Sequence, residues 1–240
     1  MVEDRASLVL RARIAEQAER YDDMAASMKT LTESDVDLLE NERNLLSIAY
    51  KNMIGTRRNA WRVISTIEEA ETKDTNRELC SKYREKIENE LRKICGEVQG
   101  LLDKYLIPKA DCTEGKVFYL KTKGDYYRYL AEVSRSDERK QIVEDASKAY
   151  QDAFEAGKTL PPTNHIQLGL VLNLSVFHYE ILNERDKARE LAKQAFQDAL
   201  ADVQQLDDGD EALNKDNMLI IQLLRDNLSL WESEEGNEET

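Results

Sequence analysis

Three cationic residues within one predicted helix have a spacing that could form an anion-binding surface. Arg58 lies seven residues after Lys51, and Arg62 lies four residues further on. At 3.6 residues per turn all three point within about 20° of one direction, whereas Arg57 lies off this stripe. Guanidinium and ammonium groups donate charge-assisted hydrogen bonds to phosphate. A solvated face paired with neighbouring acids is the commoner explanation of such a stripe, so the spacing alone leaves both interpretations open.

Two asparagines interrupt helices that are otherwise strongly apolar. Asn173 lies within Leu-Gly-Leu-Val-Leu-Asn-Leu-Ser-Val-Phe at 168–177, and Asn227 lies among the leucines and isoleucines of 219–230. A helix that is apolar nearly all round is either wholly buried or exposes one side as a binding surface. An amide offers both a donor and an acceptor, so each Asn is either a satisfied core group or a contact for a ligand's main chain.

No catalytic or metal-binding pattern accompanies these residues. The sequence has no Gly-rich phosphate loop, no nucleophile elbow and no His-Glu-x-x-His motif. His165 and His178 are 13 residues apart in one predicted helix and so point in different directions. Cys80, Cys95 and Cys112 are widely spaced and are expected to be reduced thiols. We therefore expect no enzymatic activity, no metal and no cofactor.

Composition limits the classes of partner. The 240 residues include 48 Asp and Glu against 34 Lys and Arg, for a net charge of −14. Such a surface repels nucleic acid and anionic lipid, so neither is an expected partner. The longest apolar run, 168–177, is far shorter than the roughly 20 residues that span a bilayer. With no apolar signal core at the N-terminus, the sequence predicts a soluble intracellular protein.

Helix formers dominate the chain, which contains only nine Gly and three Pro, and the sequence therefore predicts an all-α fold of about nine helices. A capping box at Asp37 and Glu40 is predicted to open the long third helix. Thr113, Ser136 and Thr163 are the predicted caps of the fifth, sixth and seventh helices. The first two helices are predicted at 3–20 and 22–31, and the third is predicted to end at about 71. The fourth is predicted at 75–107, and the seventh is predicted to end at about 182. The eighth and ninth are predicted at 187–205 and 213–231. Residues 232–240 are expected to form a disordered acidic tail.

Five stretches of the sequence carry a family resemblance. They are Ala-Glu-Gln-Ala-Glu-Arg-Tyr-Asp-Asp-Met at 15–24, Arg-Asn-Leu-Leu-Ser-Ile-Ala-Tyr-Lys-Asn at 43–52 with the following Arg57, Arg58 and Trp61-Arg62, Tyr-Tyr-Arg-Tyr-Leu-Ala-Glu at 126–132, the apolar segment 168–177, and Gln-Leu-Leu-Arg-Asp-Asn-Leu-Ser-Leu-Trp at 222–231. In this order they closely resemble the 14-3-3 family. The resemblance covers the chain from about Leu8 to Trp231 and leaves out the tail.

The resemblance implies a cup-shaped single domain of nine antiparallel helices over 1–231, which dimerises mainly through 1–107. Its implied function is that of a dimeric adaptor that binds phosphoserine and phosphothreonine motifs of many client proteins and regulates their activity, location or stability. Homodimers, and heterodimers with related subunits, both fit the family. The implied location is the cytoplasm, and also the nucleus through clients.

The resemblance also implies roles for individual residues. The phosphate-binding set falls on Lys51, Arg58, Arg128 and Tyr129, with Arg62 and Lys121 in support. Main-chain and groove contacts fall on Asn173, Asn227, Leu172, Val176, Leu219, Ile220, Leu223 and Leu230. The dimer interface falls on Ile14, Ala18, Arg20, Asp23, Ile64, Tyr83, Lys86 and Glu90, for which packing within the chain is the alternative.

Two positions depart from the family pattern, and two further points stay open. Ala60 replaces a serine whose phosphorylation weakens the dimer in some members, and Glu184-Arg185 replaces a frequent Ser-Pro, so both regulatory switches are in doubt. The acidic tail either competes weakly for the groove or only adds solubility. A similarity between 149–154 and 195–200 keeps a helical-repeat scaffold as the alternative function, with an enzyme third.

Overall fold

The computed structural model describes residues 4–34, 36–203 and 215–238. Within these ranges the chain forms nine α-helices and no strand, which confirms the all-α prediction. The chain divides into two compact units, Met1–Lys109 and Ala110–Thr240. No helix in the described ranges is long and apolar enough to cross a membrane.

The first unit contains the first four helices, each of which packs on the next. They are α1 (Arg5–Gln17), α2 (Tyr21–Glu33), α3 (Glu40–Ala70) and α4 (Asp74–Leu101), followed by a π-helical turn at Leu102–Leu106 and a 3-10 turn at Ile107–Lys109. The largest fully buried side chains of this core are Met24, Met28, Leu31, Tyr50, Ile54, Leu91 and Leu102. Since α3 is one uninterrupted helix, the helical spacing of its cations holds along its whole length.

The ends of α3 and α4 differ from the predicted ones for identifiable reasons. At the start of α3 the backbone N–H of Leu39 donates to Glu42 Oε2 at 2.8 Å, and Arg5 binds the same carboxylate. The reaching-back glutamate of the cap is therefore Glu42, and the predicted box at Asp37 and Glu40 is wrong. At the end of α4, the N–H of Ile107 bonds to the Leu102 carbonyl, five residues back, so the helix widens into its π turn just before Pro108.

The second unit contains the remaining five helices. They are α5 (Thr113–Val133), α6 (Ser136–Gly157), α7 (His165–Val176), α8 (Arg185–Val203) and α9 (Lys215–Glu238), with a π-helical turn at Phe177–Ile181 after α7. Helix α5 packs mainly on α6, and α7 contacts both α8 and α9. Helix α9 continues past Trp231 to Glu238, through most of the segment for which disorder was predicted.

Helix α7 contributes to two apolar clusters, which explains why it is apolar nearly all round. Leu170 and Phe177 pack with Tyr150 of α6 in one cluster. Leu168 packs with Leu224 and other residues of α8 and α9 in the second cluster. The middle of this helix is thus buried on two sides, and only part of its circumference remains for a ligand.

The caps of α5, α6 and α7 all fall on the neighbours of the predicted residues. Helix α6 begins at Ser136, and its cap position is Arg135. The Cys112 sulfur accepts from the Gly115 N–H at 3.3 Å, so Thr113 is the first helical residue of α5 rather than its cap. Asn164 caps α7, because its Oδ1 accepts from the backbone N–H of Ile166 at 3.0 Å and from that of Gln167 at 3.3 Å. Thr163 instead donates its hydroxyl to Asp202 at 2.6 Å, linking the start of α7 to the end of α8.

Candidate functional site

A buried carboxylate organises the polar face of α5. Lys121, Asp125 and Arg128 are at positions i, i+4 and i+7, so their side chains share one side of the helix. Lys121 Nζ donates to Asp125 Oδ2 at 2.8 Å, and Arg128 Nη2 donates to Asp125 Oδ1 at 3.3 Å. Arg128 and Asp125 are each only 6% exposed. Two cations therefore share one carboxylate in a poorly solvated place.

Helix α6 contributes a tyrosine to the same cluster. The hydroxyl of Tyr150 donates to Asp125 Oδ1 at 2.6 Å and accepts from Arg128 Nε at 3.1 Å. Its ring lies directly against α5, because a Cβ built on Gly124 would come within 2.8 Å of ring carbons of Tyr150. A glycine at 124 is thus required for the ring to lie there, and the ring carries the hydroxyl to Asp125.

Helix α7 contributes the amide of Asn173. Its Nδ2 lies 2.8 Å from Oδ1 and 3.0 Å from Oδ2 of Asp125. An ionised carboxylate can only accept hydrogen bonds, so it holds the amide nitrogen toward itself and leaves the amide oxygen turned away. The amide nitrogen of Asn173 is therefore held by a buried carboxylate rather than by backbone.

The protonation states in the cluster follow from these contacts. Burial opposes ionisation of Asp125, but the charges of Lys121 and Arg128 outweigh it and hold the pKa of this carboxyl below its ordinary value. Burial likewise opposes the charge on Arg128, yet its neighbours raise the guanidinium pKa well above the usual value. Burial raises the pKa of Tyr150 well above its ordinary value. At neutral pH Asp125 is thus ionised, Arg128 is charged and Tyr150 is a neutral phenol.

Tyr129 lies beside Arg128 in the same unit. The guanidinium carbon of Arg128 is 4.8 Å from the centroid of the Tyr129 ring, a cation–π distance. Glu132 Oε1 is 4.0 Å from Arg128 Nη1, which is beyond hydrogen-bonding distance. The structure therefore brings together the predicted phosphate-binding residues of the second unit, with Lys121 connected to Arg128 through a shared acceptor.

The other predicted cations lie on α3 in the first unit. Lys51 and Arg62 are exposed, and Arg58 is half-buried. Arg57, which the spacing placed off the stripe, binds Asp22 at 3.4 Å and Glu90 at 3.3 Å. The residue outside the stripe is thus held by acids of α2 and α4, as a structural arginine would be.

The predicted apolar groove residues lie on α7 and α9, and several are exposed. Leu219, Leu223 and Leu230 are 58%, 40% and 54% exposed, although Leu224 on the same helix is fully buried. Leu172, Val176 and Ile220 are half-buried and pack on the α7, α8 and α9 cluster. Asn227 is half-buried as well.

Met218, 47% exposed, extends the apolar edge of α9 and was not predicted. Such an edge fits a binding surface.

The predicted dimer residues have mixed environments in the first unit. Ile14 and Tyr83 are 58% and 53% exposed, which suits an apolar interface. Ala18, Arg20, Asp23 and Lys86 are exposed too, and a groove of about 460 Å³ on α1 and α2 is lined by Ile14, Ala18, Arg20 and Asp23 among others.

Four of the predicted dimer residues have partners inside the chain, and two of them, Arg20 and Asp23, form an ion pair with each other. Ile64 is only 7% exposed, so packing within the chain accounts for it. Glu90 is half-buried and is held by Arg57. The structure adds exposed apolar residues that the sequence did not single out, namely Leu10, Val63, Ile67 and Leu79.

Comparisons with known proteins agree with this arrangement. The family model described as 14-3-3 protein matches residues 11–232. The chain belongs to the 14-3-3 family. It is 60% identical over 233 residues to the 14-3-3 protein zeta of Bombyx mori, covering 96% of this chain and 93% of that one. It is 57% identical over 242 residues to the 14-3-3-like protein 2 of Caenorhabditis elegans, covering 100% and 96%. The 14-3-3 protein beta/alpha of Xenopus tropicalis is 56% identical over 238 residues, covering 98% and 96%.

As a 14-3-3 protein the chain is a phosphoserine- and phosphothreonine-binding adaptor, and proteins of this family are adaptors rather than enzymes. Family membership also supports binding of client proteins and dimer formation. The described residues contain no group of His, Cys, Asp and Glu that could hold a metal ion.

Sequence reasoning missed the residues at the centre of the cluster, Asp125, Tyr150 and Gly124. The spacing of Lys121, Asp125 and Arg128 on one helix face was a usable signal for the first of them. Tyr150 had no such signal, because its part in the cluster depends on how α6 packs against α5. The same packing is what requires a glycine at 124.

Proposed function

We propose that Lys51 and Arg58 of α3 act with Arg128 and Tyr129 of α5 as one phosphate site of this 14-3-3 protein, with Arg62 and Lys121 in support. A phosphoserine carries about −1.5 to −2 charges and three acceptor oxygens at neutral pH. Two guanidinium forks, an ammonium group and a phenol hydroxyl match that demand. The observation that carries the proposal is the buried, charged Arg128 stacked against Tyr129.

The rest of the client segment would lie along α7 and α9. Asn173 and Asn227 would pair with its main chain, and Leu172, Val176, Leu219, Ile220, Leu223 and Leu230 would contact its apolar side chains. Main-chain pairing does not depend on side-chain identity, which suits an adaptor with many clients. Occupying a client segment in this way would change the client's activity, location or stability without any enzymatic reaction or cofactor.

Dimerisation through residues 1–107 would place two such sites in one particle. Ile14, Ala18 and Tyr83 would supply apolar contact, and Arg20, Asp23, Lys86 and Glu90 would supply ion pairs, between identical or related subunits. Two linked sites raise avidity for a client with two phosphorylated segments through effective concentration. Sedimentation equilibrium tests this: we expect a dimer for the native chain and a monomer for Ile14→Glu, and a monomeric native chain would contradict the proposal.

We further propose that the two units act as a single 14-3-3 domain over 1–231 in the cytoplasm, reaching the nucleus together with clients. The acidic segment after Trp231 would compete weakly for the groove. If a chain that ends at Glu232 binds phosphopeptide no better than the full chain, this competition does not occur.

The phosphate site is tested with a fluorescent serine peptide that carries a flanking arginine, prepared with and without phosphate. Charge-assisted hydrogen bonds contribute about 1.5–3 kcal/mol each, so we expect phosphate to raise affinity by more than about 100-fold. Lys51→Glu should weaken phosphopeptide binding by at least about tenfold. The matched control is Lys140→Glu, which reverses a charge on a side chain 79% exposed in α6. Equal binding of both peptides would overturn the phosphate assignment, and so would an unaffected Lys51→Glu variant.

A further inference from the structure

Asp125 touches proposed ligand-binding groups of both kinds. It bonds to Arg128 and Lys121, which belong to the proposed phosphate site, and to Asn173, which belongs to the proposed main-chain site. Tyr150 adds a fourth donor from a third helix. Asp125 is thus a common partner of side chains that would otherwise act independently.

The donors occupy both oxygens of the carboxylate. Oδ1 accepts from Tyr150, Arg128 and Asn173, and Oδ2 accepts from Lys121 and Asn173. A carboxylate offers about four lone-pair sites, so little acceptor capacity remains. The hydrogen bonds of Asp125 are therefore made mainly to its neighbours, whose side chains it orients.

This orientation is specific for each neighbour. Arg128 is fixed at two points, with Nε on the Tyr150 hydroxyl and Nη2 on Asp125, which sets the plane of the guanidinium. Asn173 is fixed with its nitrogen inward, which sets its oxygen as the outer atom. A bidentate contact to an anion and a main-chain contact both depend on such preset geometry.

We propose that Asp125 is a positioning residue that couples the phosphate-binding side chains of α5 to the main-chain-binding amide of α7. The inference rests on the proposed function of these residues. Binding of the phosphate and binding of the neighbouring main chain are then linked, because any shift of Asp125 disturbs Arg128 and Asn173 together. An asparagine cannot replace Asp125, since its amide nitrogen would face the donors of its neighbours.

A double-mutant cycle tests this coupling. Phosphopeptide affinity is measured for Arg128→Lys, Asn173→Ala and the combined variant, in the native chain and again in an Asp125→Asn background. In the native chain we expect the fold loss of affinity in the combined variant to be at least about threefold smaller than the product of the two single fold losses. The reason is that each single change already disturbs the other residue through Asp125. In the Asp125→Asn background the losses should multiply. A merely structural role for Asp125 would weaken every variant without changing this relation.

Two further variants keep the test decisive if Asp125→Asn folds poorly. Tyr150→Phe keeps the ring against Gly124 and removes only the hydroxyl, and we expect it to weaken phosphopeptide binding about three- to tenfold while the unphosphorylated peptide is unaffected. Asp137→Asn removes a carboxylate that is 97% exposed, and it should change neither affinity.

The outcomes separate the two proposals. If the native chain binds phosphorylated and unphosphorylated peptide equally, the proposed phosphate site is wrong. Two other outcomes would overturn only the positioning role of Asp125, provided that the native chain prefers the phosphopeptide. In one, the affinity losses of Arg128→Lys and Asn173→Ala multiply in the native chain. In the other, Tyr150→Phe binds the phosphopeptide as tightly as the native chain does.

Discussion

Arg84 and Arg128 are buried to the same extent, each 6% exposed, but they have different partners. Arg84 on α4 is held by two carboxylates. Its Nε donates to Glu68 Oε2 at 2.6 Å, and its Nη1 donates to Glu88. The hydrogen bond that Arg84 donates to Glu68 is the leading cause of the raised pKa of Arg84. Because its one positive charge lies between two negative ones, Arg84 has no excess positive charge with which to bind a further anion.

Arg128 on α5 has a different set of hydrogen-bond partners. Its hydrogen-bonded carboxylate, Asp125, is shared with Lys121, and its Nε bonds to the uncharged hydroxyl of Tyr150. A second acid, Glu132, is an ion-pair partner at 4.0 Å, too far away for a hydrogen bond. Equal burial therefore comes with different pairing. Arg84 donates hydrogen bonds to two acids, whereas Arg128 donates to one acid that it shares with another cation, and we expect its guanidinium to be the more available for a phosphate.

The largest expected effect is the loss of binding in Arg128→Met. Methionine fills similar space but has no donors, so two or more charge-assisted hydrogen bonds of about 1.5–3 kcal/mol each are lost. Phosphopeptide affinity should fall by at least about 100-fold in a polarisation titration, with the helical circular dichroism spectrum retained. A loss below about fivefold in a folded variant would place Arg128 in the same structural class as Arg84.

The matched change in the first unit is Arg84→Met, which should act on stability instead. It leaves Glu68 and Glu88, whose side chains are 20% and 14% exposed, without their cation. Removing one partner of a buried ion pair lowers the free energy of unfolding by about 3–5 kcal/mol. Because Glu68 and Glu88 stay partly solvated, we expect a loss of about 3 kcal/mol here. Urea unfolding measures that loss, while phosphopeptide affinity below the transition should change less than about twofold. A large affinity loss would break the comparison.

Gly124→Ala tests whether Arg128 depends on Tyr150 without altering either residue. The new Cβ would lie 2.8 Å from the ring of Tyr150, which is fully buried and cannot move away freely. Such overpacking costs about 1–3 kcal/mol of stability, and we expect phosphopeptide affinity to fall several-fold as the hydroxyl shifts. Gly96→Ala in α4 is the control, because nothing lies within 4 Å of its Cβ. It should keep full affinity and gain about 0.4–1 kcal/mol.

The stripe on α3 illustrates what helical periodicity can predict. Lys51, Arg58 and Arg62 share an edge because α3 is a single helix from Glu40 to Ala70, and Arg57 falls outside it in the ion pairs expected of a structural residue. The all-α class likewise follows from composition and breakers. Cap positions were less certain, because Thr163 and Asn164 are both good caps and packing against Asp202 decided between them.

The cluster around Asp125 illustrates what periodicity cannot predict. Spacing along α5 relates Lys121, Asp125 and Arg128, but it does not show that the carboxylate is buried. Burial comes from Tyr150 and Asn173, which lie 25 and 48 residues further along the chain. Contacts at such separations depend on tertiary packing, for which a single sequence carries no local signal.

The smallest expected effect concerns pH, and it tests whether the acid shared by Arg128 and Lys121 stays ionised. The folded pKa of Asp125 is below its ordinary value of about 3.9, so its contribution to stability is complete above that value and is lost only as pH falls through the lower folded pKa. The difference in unfolding free energy between the native chain and Asp125→Asn should stay constant from pH 7 to 5 and shrink only below about pH 3.9. Burial lowers the pKa of His178 against the opposing effect of its hydrogen bond to Glu184. This contribution cancels because both proteins contain it. A difference that already shrinks between pH 7 and 5 would mean that Asp125 takes up a proton near neutrality. Arg128 and Lys121 would then not share an ionised carboxylate, which is the feature that distinguishes their cluster from that of Arg84.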